Sequence, residues 1–240
     1  MVRVRHGHVH RHLAAQPLSS RRALIALLCI AWLGGCGTSP APPAPRDPGV
    51  GRVDPASIVT VGSALPAGYE VAALDGPISA AALIGFGPGW AADPPRCAAL
   101  ADPAPAAPGA RGLSASGPGG TVFVAAAPVP APPDPGLIAG CPTWTMTFVH
   151  TSATVTQSPP PVIEGAQTLA WRAPATTVVE AGSRTDSNAT AAFAFLDGHV
   201  AFAVLVTDPG SAEPPLDDRV VAELLADTVA ALRGSAAAGE

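Results

Sequence analysis

Two segments near the C-terminal end alternate in residue size in the way that is typical of paired β-strands. Ala191–Leu196 and His199–Thr207 flank Asp197-Gly198, a dipeptide that favours a two-residue type I′ turn because both turn positions need a positive φ. The predicted register pairs Leu196 with His199, Phe195 with Val200, Phe193 with Phe202 and Ala191 with Val204. One face of this hairpin then carries three phenylalanines, and the other carries a run of alanines. We expect the bulky face to form the main core and the alanine face to meet a close-packed second layer or a shallow cleft.

An apolar stripe at helical spacing follows the hairpin and predicts an amphipathic helix over Asp217–Arg233. The stripe consists of Val220, Val221, Leu224, Leu225, Val229 and Leu232. Asp217 and Asp218 stand at the start, where carboxylates favour the positive end of the helix dipole, and Gly234 follows as a stop signal. Because helix and hairpin are neighbours in sequence, we expect the helix to cover Phe193, Phe195 and Phe202.

Shorter patterns predict the remaining elements. Strands are expected at Thr121–Ala127, Thr143–Thr151, Ala166–Arg172 and Thr176–Glu180, and short helices at Ser79–Ile84 and Pro95–Ala101. Hairpins and meanders outnumber crossovers in this list. The expected fold class is therefore α+β: an antiparallel sheet with helices packed on it.

One domain of this kind is predicted over residues 56–235. About 180 residues are enough to bury a single core, and no long linker divides them. Two Pro/Ala-rich stretches, Asp102–Ala110 and Pro128–Pro135, are interpreted as surface loops.

The N-terminal segment has the organisation of a secretory signal peptide. Arg21-Arg22 precede the eleven-residue apolar run Ala23–Leu33. The alternative is a transmembrane anchor, but an anchor needs ~20 apolar residues and this run is shorter. Leu33-Gly34-Gly35-Cys36 resembles the lipobox of bacterial lipoproteins. The resemblance implies cleavage after residue 35 and a diacylglyceryl group on the sulfur of Cys36. Arg21-Arg22 also resembles the twin-arginine export signal, so the export route stays open.

Residues 36–55 are predicted to be a lipidated cysteine followed by a spacer, and residues 236–240 a tail. Prolines crowd the spacer at positions 40, 42, 43, 45 and 48. Polyproline conformations extend ~3.1 Å per residue, so this tether could reach roughly 60 Å. Its expected role is to hold the domain away from the membrane.

The charge of the exported chain excludes some partners. Removal of residues 1–35 takes away five of the thirteen basic residues, all arginines, and none of the eighteen acidic ones, so the net charge falls to near −10. Nucleic acid is not an expected partner, because cationic side chains must neutralise its phosphates. Abundant Ala, Pro and Gly, with arginine and no lysine, indicate a high-GC genome, and together with the lipobox suggest an actinobacterium.

Two of the four cysteines lie in the exported domain, because Cys29 lies in the predicted leader and Cys36 is the predicted lipidation site. An even pair outside the cytoplasm predicts a disulfide between Cys97 and Cys141. Two reduced buried thiols are the alternative.

Three motifs of the middle region carry a family resemblance: Leu65-Pro66-Ala67-Gly68-Tyr69-Glu70, Gly85-Phe86-Gly87-Pro88-Gly89-Trp90 and Pro94-Pro95-Arg96-Cys97. Together they resemble a family of mycobacterial exported lipoproteins of unknown function. The arrangement is more distantly similar to the extracellular sensor domain of mycobacterial serine/threonine kinases. That similarity implies a disulfide-bearing antiparallel sheet with helices and a cleft, and it brings no functional residue with it.

The candidates for catalysis are few. His150 and His199 are the histidines that remain after the predicted cleavage, and Ser114 and Ser116 lie outside any Gly-x-Ser-x-Gly elbow. Gly85–Trp90 lacks the spacing of a nucleotide-binding loop, and no calcium or zinc spacing occurs. Trp90, Trp144 and Trp171 could line an apolar pocket but are expected in the core.

The expected function is therefore a membrane-tethered, non-enzymatic binding or sensor-like module of the cell envelope. Its partners are expected to be the membrane, through the lipid on Cys36, and an unidentified envelope ligand or protein. No cofactor or metal is expected. The alternatives are a cell-envelope hydrolase that uses His150 or His199, and a structural partner of an envelope complex.

Overall fold

The computed structural model describes residues 52–179, 182–207 and 210–234. The predicted leader, Cys36, most of the spacer and the tail lie outside the described residues. Within them the chain forms a sheet with strand order β1-β3-β4-β9-β8-β7-β6-β5-β2, in which every neighbouring pair is antiparallel. The strands are β1 Glu70–Asp75, β2 Ala91–Asp93, β3 Arg111–Gly117, β4 Gly120–Pro128, β5 Thr143–Phe148, β6 Thr151–Gln157, β7 Gln167–Val178, β8 Arg184–Leu196 and β9 His199–Thr207.

The helices are short, apart from the first and the last. They are a 3₁₀ helix Pro55–Ala64, α1 Ala80–Leu83, a 3₁₀ turn Pro95–Cys97 that leads into α2 Ala98–Ala101, α3 Pro135–Ala139 and α4 Arg219–Leu232. Ser79 caps α1 because its Oγ accepts the N–H of Ala82 at 3.1 Å. The predicted α+β class is confirmed.

The C-terminal hairpin has the predicted register, with Phe193 opposite Phe202 and Phe195 opposite Val200. The prediction of the turn type is wrong. Gly198 has a φ of 67°, but Asp197 is not among the described residues with positive φ, so the type I′ turn, which needs two such residues, does not form.

The prediction that α4 covers the phenylalanine face is also wrong. The sheet separates two cores. One core contains α1, α2, the two cysteines and the three phenylalanines, Phe193, Phe195 and Phe202. On the other face, Leu224 and the rest of the α4 stripe pack with alanines of β8 and β9. We call these the aromatic face and the alanine face. Because alanine side chains are small, they let the backbone of α4 approach the sheet closely. The large side chains that fill the space between α4 and the sheet therefore belong to α4.

Two other strand predictions differ from the structure. The predicted strand over Thr143–Thr151 is divided by a turn at Val149, which has a φ of 51°. The two strands expected over Ala166–Arg172 and Thr176–Glu180 are one strand, β7. Pro174 interrupts the pairing of β7 with β6 between the pairs Ala153–Ala175 and Thr156–Arg172, because proline has no N–H to donate. Pairing with β8 continues past it.

Candidate ligand-binding face

α4 covers only part of the alanine face. It packs against β4, β8 and β9, and the same face of β5, β6 and the C-terminal half of β7 is left open. Register places two cross-strand rows of side chains there, all of them polar except Pro174. One row is Thr147, Ser152, Thr176 and Asp186, and the other is Thr145, Thr154, Pro174, Asn188 and Thr207. We call these nine residues the threonine platform.

The platform lies under two connected concavities. One, of about 740 Å³, lies over β5 to β8, and the other, of about 560 Å³, lies between the platform and the start of α4. Pro174 and Asn188 line both. Volumes of this order are typical of sites for small molecules. The platform and the start of α4 together form one elongated groove, which is lined by polar and apolar atoms in similar amounts.

A hydrogen-bonded ion pair forms the end of this groove. Asp218, immediately before α4, accepts from Arg172 at 2.6 Å and from the hydroxyl of Thr190 at 2.8 Å. Arg172 and Thr190 are opposite each other on β7 and β8. A third concavity, of about 260 Å³, lies on the far side of these three residues, against the proline-rich loop after β6. The cluster therefore ties the start of α4 to the sheet and separates two recesses.

A second ion pair lies at the other end of the platform. Asp186 accepts from the hydroxyl of Thr176 at 2.7 Å and from Nε of Arg184 at 3.2 Å, and Arg184 also donates to Thr176 at 3.0 Å. These hydrogen bonds, with that from Thr176 the strongest, hold the pKa of Asp186 below its usual value. Both arginines on this face are thus paired with a carboxylate.

Two polar side chains at the centre of the groove have no partner within the described part of the chain. They are the amide of Asn188 and the hydroxyl of Thr207, which are opposite each other on β8 and β9. Thr207 is only 9% exposed. Both residues line the groove, and neither polar group is a fully buried atom, so both are available to a ligand there.

The histidines are not assembled into a catalytic group. His150 is exposed in the turn between β5 and β6, and His199 follows the turn between β8 and β9. The strand register puts these turns at opposite ends of the sheet. Nδ1 of His199 is 3.1 Å from the carbonyl oxygen of Asp197, in its own turn. Within the described residues, neither ring makes a hydrogen bond or an ion pair with a carboxylate or a hydroxyl.

The two serines that we considered as nucleophiles make other contacts, both on β3. Ser114 donates to the carbonyl oxygen of Ala72 at 3.5 Å, and Ser116 shares a hydrogen bond with Thr121 at 3.2 Å. The residues for chemistry that sequence reasoning singled out are therefore dispersed.

Gly85–Trp90 is a packing motif. A Cβ at Gly87 would stand 2.7 Å from the ring of Phe148, so glycine lets that ring lie directly on the backbone. Phe86 and Trp90 pack edge to face, with centroids 6.5 Å apart. Trp144 and Trp171 are buried in the aromatic-face core. None of the three tryptophans lines the groove.

Cys97 and Cys141 are both buried, and their sulfur atoms are 2.02 Å apart, at disulfide distance. Cys97 precedes α2 and Cys141 follows α3, so the bond joins two short helices that cover the aromatic face. Within the described residues, no group of three or more His, Cys, Asp or Glu side chains is placed to hold a metal ion.

The groove was missed by sequence reasoning because its residues come from five strands. Threonine alternation in Thr143–Thr147 and Ser152–Thr156 was the available signal. It indicates strands with one polar face, but it does not show which side of the sheet α4 covers or that α4 leaves this polar face open.

A model of a family described as a domain of unknown function (DUF5642) matches residues 54–233. The chain belongs to this family. The DUF5642 domain thus spans the whole described sheet and α4. No curated protein matches the chain significantly.

A solved structure supports the fold of this DUF5642 domain. The crystal structure of an uncharacterized protein (Rv0999 ortholog) from Mycobacterium smegmatis has a TM-score of 0.54 at 20% sequence identity, and the match covers 76% of this chain and 98% of that chain. At this identity the similarity concerns the fold alone. Among the described helices, none is long and apolar enough to cross a membrane.

Proposed function

We propose that this protein is a lipid-anchored, extracytoplasmic binding protein of the cell envelope, without enzymatic activity, whose ligand occupies the groove over the threonine platform. The observation that carries the proposal is the continuity of that groove around the unpartnered side chains of Asn188 and Thr207. A preformed concave surface with free hydrogen-bonding groups is suited to binding.

Three further features support the exported location. Leu33-Gly34-Gly35-Cys36 resembles a lipobox. Cys97 and Cys141 at disulfide distance suit an oxidising compartment. The resemblance to exported mycobacterial lipoproteins, and more distantly to kinase sensor domains, agrees with a domain that binds its ligand outside the cell.

The test of binding uses the full chain in detergent and hydrogen–deuterium exchange. Four classes of probe are added in turn: neutral oligosaccharides, acidic oligosaccharides, peptides and phospholipid vesicles. A ligand of the groove is expected to slow amide exchange in β6, β7 and β8 and to lose affinity with Asn188→Ala. The matched control is Thr185→Val, because Thr185 lies on β8 but faces the other side of the sheet. If no class of probe protects these strands, the proposed binding function is wrong.

The alternative of a hydrolase is tested in parallel. Ester, amide and glycan substrates are incubated with the wild-type chain and with His150→Ala and His199→Ala. The proposal expects no turnover above that of a heat-denatured control. Turnover that either histidine substitution abolishes would establish the enzyme instead.

A further inference from the structure

The threonine platform presents hydroxyl groups in a two-dimensional array. Adjacent strands are ~4.8 Å apart and alternate residues along a strand are ~6.6 Å apart. Four of its hydroxyl-bearing residues are exposed: Thr145, Thr147, Ser152 and Thr154. Their hydroxyls make no side-chain hydrogen bond within the described part of the chain. A hydroxyl donates one hydrogen bond and accepts others. An array of such groups matches a ligand that itself displays many hydroxyls.

The charges of the groove are balanced internally. Arg172 is paired with Asp218, Arg184 with Asp186, and Arg219 with Asp217. An anionic ligand would have to compete with those carboxylates and with the overall charge of the exported chain, which is near −10. A cationic ligand would have to displace the arginines. The groove is therefore electrostatically suited to an uncharged ligand.

A few apolar groups lie beside the hydroxyls. The exposed ring of Pro174 lies in the middle of the second row and lines both concavities. Pro215 and Leu216 form a wall of the concavity at the start of α4. A sugar ring has C–H faces as well as hydroxyl edges, and it fits a surface on which flat apolar patches are surrounded by hydroxyls.

We propose that the threonine platform binds a neutral oligosaccharide. The chain of sugars would cross the strands from β5 towards α4, over roughly 19 Å for five strands, and would supply partners to Asn188 and Thr207. This inference rests on the proposed binding function and specifies its ligand class. A peptide is less well suited, because an extended peptide satisfies its backbone at the edge of a sheet rather than on its face. A lipid would need a larger apolar surface.

The experiment is isothermal titration calorimetry on the full chain in detergent, with neutral α-glucan, mannan and galactan fragments of four to six sugars as probes. At least one probe is expected to bind. Thr145→Val and Thr154→Val each remove a hydroxyl while keeping the shape and the strand preference of the residue, and each is expected to weaken binding about 3- to 10-fold. The control Thr185→Val should bind as the wild type does.

The outcomes separate this inference from the proposed function. If no neutral sugar binds but another class of probe protects β6 to β8, the ligand class is wrong and the binding function stands. If a sugar binds and Thr145→Val and Thr154→Val leave its affinity unchanged, the platform is not the site. If no probe of any class binds, both proposals are wrong.

Discussion

Asp102 is a buried carboxylate that joins two short helices. It stands at the end of α2 with 6% of its surface exposed, and it accepts the hydroxyl of Ser79 at 2.5 Å and the N–H of Ala80 at 3.1 Å, both at the start of α1. Burial raises the pKa of Asp102, although these two hydrogen bonds oppose the shift.

The raised pKa makes stability depend on pH. Folding favours the protonated carboxyl, so its contribution is fully present below the unfolded pKa of 3.8 and is lost as the pH rises through the higher folded value. Asp102→Asn cannot ionise and still offers an oxygen to Ala80. We expect the free energy of unfolding of Asp102→Asn, relative to wild type, to increase with pH from about 3 upwards and then level off. Urea unfolding between about pH 3 and 7 checks this, and a difference that is independent of pH would contradict it.

Phe202 and Leu224 test the two cores at the level of single side chains. Each is 2% exposed, and they lie in separate clusters on opposite faces of the sheet. Phe202→Ala is expected to cost about 3–5 kcal/mol and Leu224→Ala about 2–5 kcal/mol, measured from denaturant midpoints. Because the two clusters are distinct, the losses should add in the double variant. A near-neutral single variant would mean that its face is exposed to solvent.

At the scale of elements, the contact between α4 and the hairpin depends on small residues of the sheet. The small residues buried beneath α4 are Ala192, Ala194, Ala201 and Ala203. Ala203→Leu should force α4 away from the sheet and cost about 1–3 kcal/mol in the free energy of unfolding. Ala72→Leu is the control, because Ala72 is exposed on the edge strand β1, and it should change stability by less than about 0.5 kcal/mol. Equal effects of the two substitutions would show that α4 is not closely packed.

The cover of the aromatic face is a set of short helices and loops, which need a cross-link more than a long helix does. Cys97 and Cys141 are separated by 44 residues in sequence. In the chain-entropy model, a disulfide that closes a loop of that length increases the free energy of unfolding by about 4 kcal/mol. Replacement of both cysteines by alanine is expected to lower the free energy of unfolding by about this amount. Reduction of the unfolded wild-type protein before refolding should have the same effect, and a free energy of unfolding that this treatment leaves unchanged would show that the thiols are not bridged.

For the whole molecule, the proposed lipid on Cys36 determines where the groove operates. Two or more acyl chains hold a protein stably at a bilayer, at ~0.8 kcal/mol per buried methylene. Cys36→Ala should move the protein from the membrane fraction to the soluble fraction, and the N-terminal peptide of the wild type should carry the lipid mass in mass spectrometry. Cys29→Ala is the matched control and should stay at the membrane. Equal membrane association of Cys36→Ala would contradict the anchor.

Local patterns were sufficient for the elements that are formed by neighbouring residues. The alternation around Asp197-Gly198 determined the register of β8 with β9, since a two-residue loop leaves one pairing. The stripe from Val221 to Leu232 determined α4, because helix periodicity is read within a few turns. The α+β class followed from these elements.

Only the tertiary structure decided which face α4 covers and what lies on the part that it leaves open. Both faces of β8 and β9 are apolar, so the period of two indicates burial on each side without naming the partner. The threonine platform extends from Thr145 on β5 to Thr207 on β9, and it depends on the registers of four successive strand pairs. These registers together, and the position of α4, are determined by the energy of the whole sheet and of its two cores, so no single local stretch of sequence contains the platform.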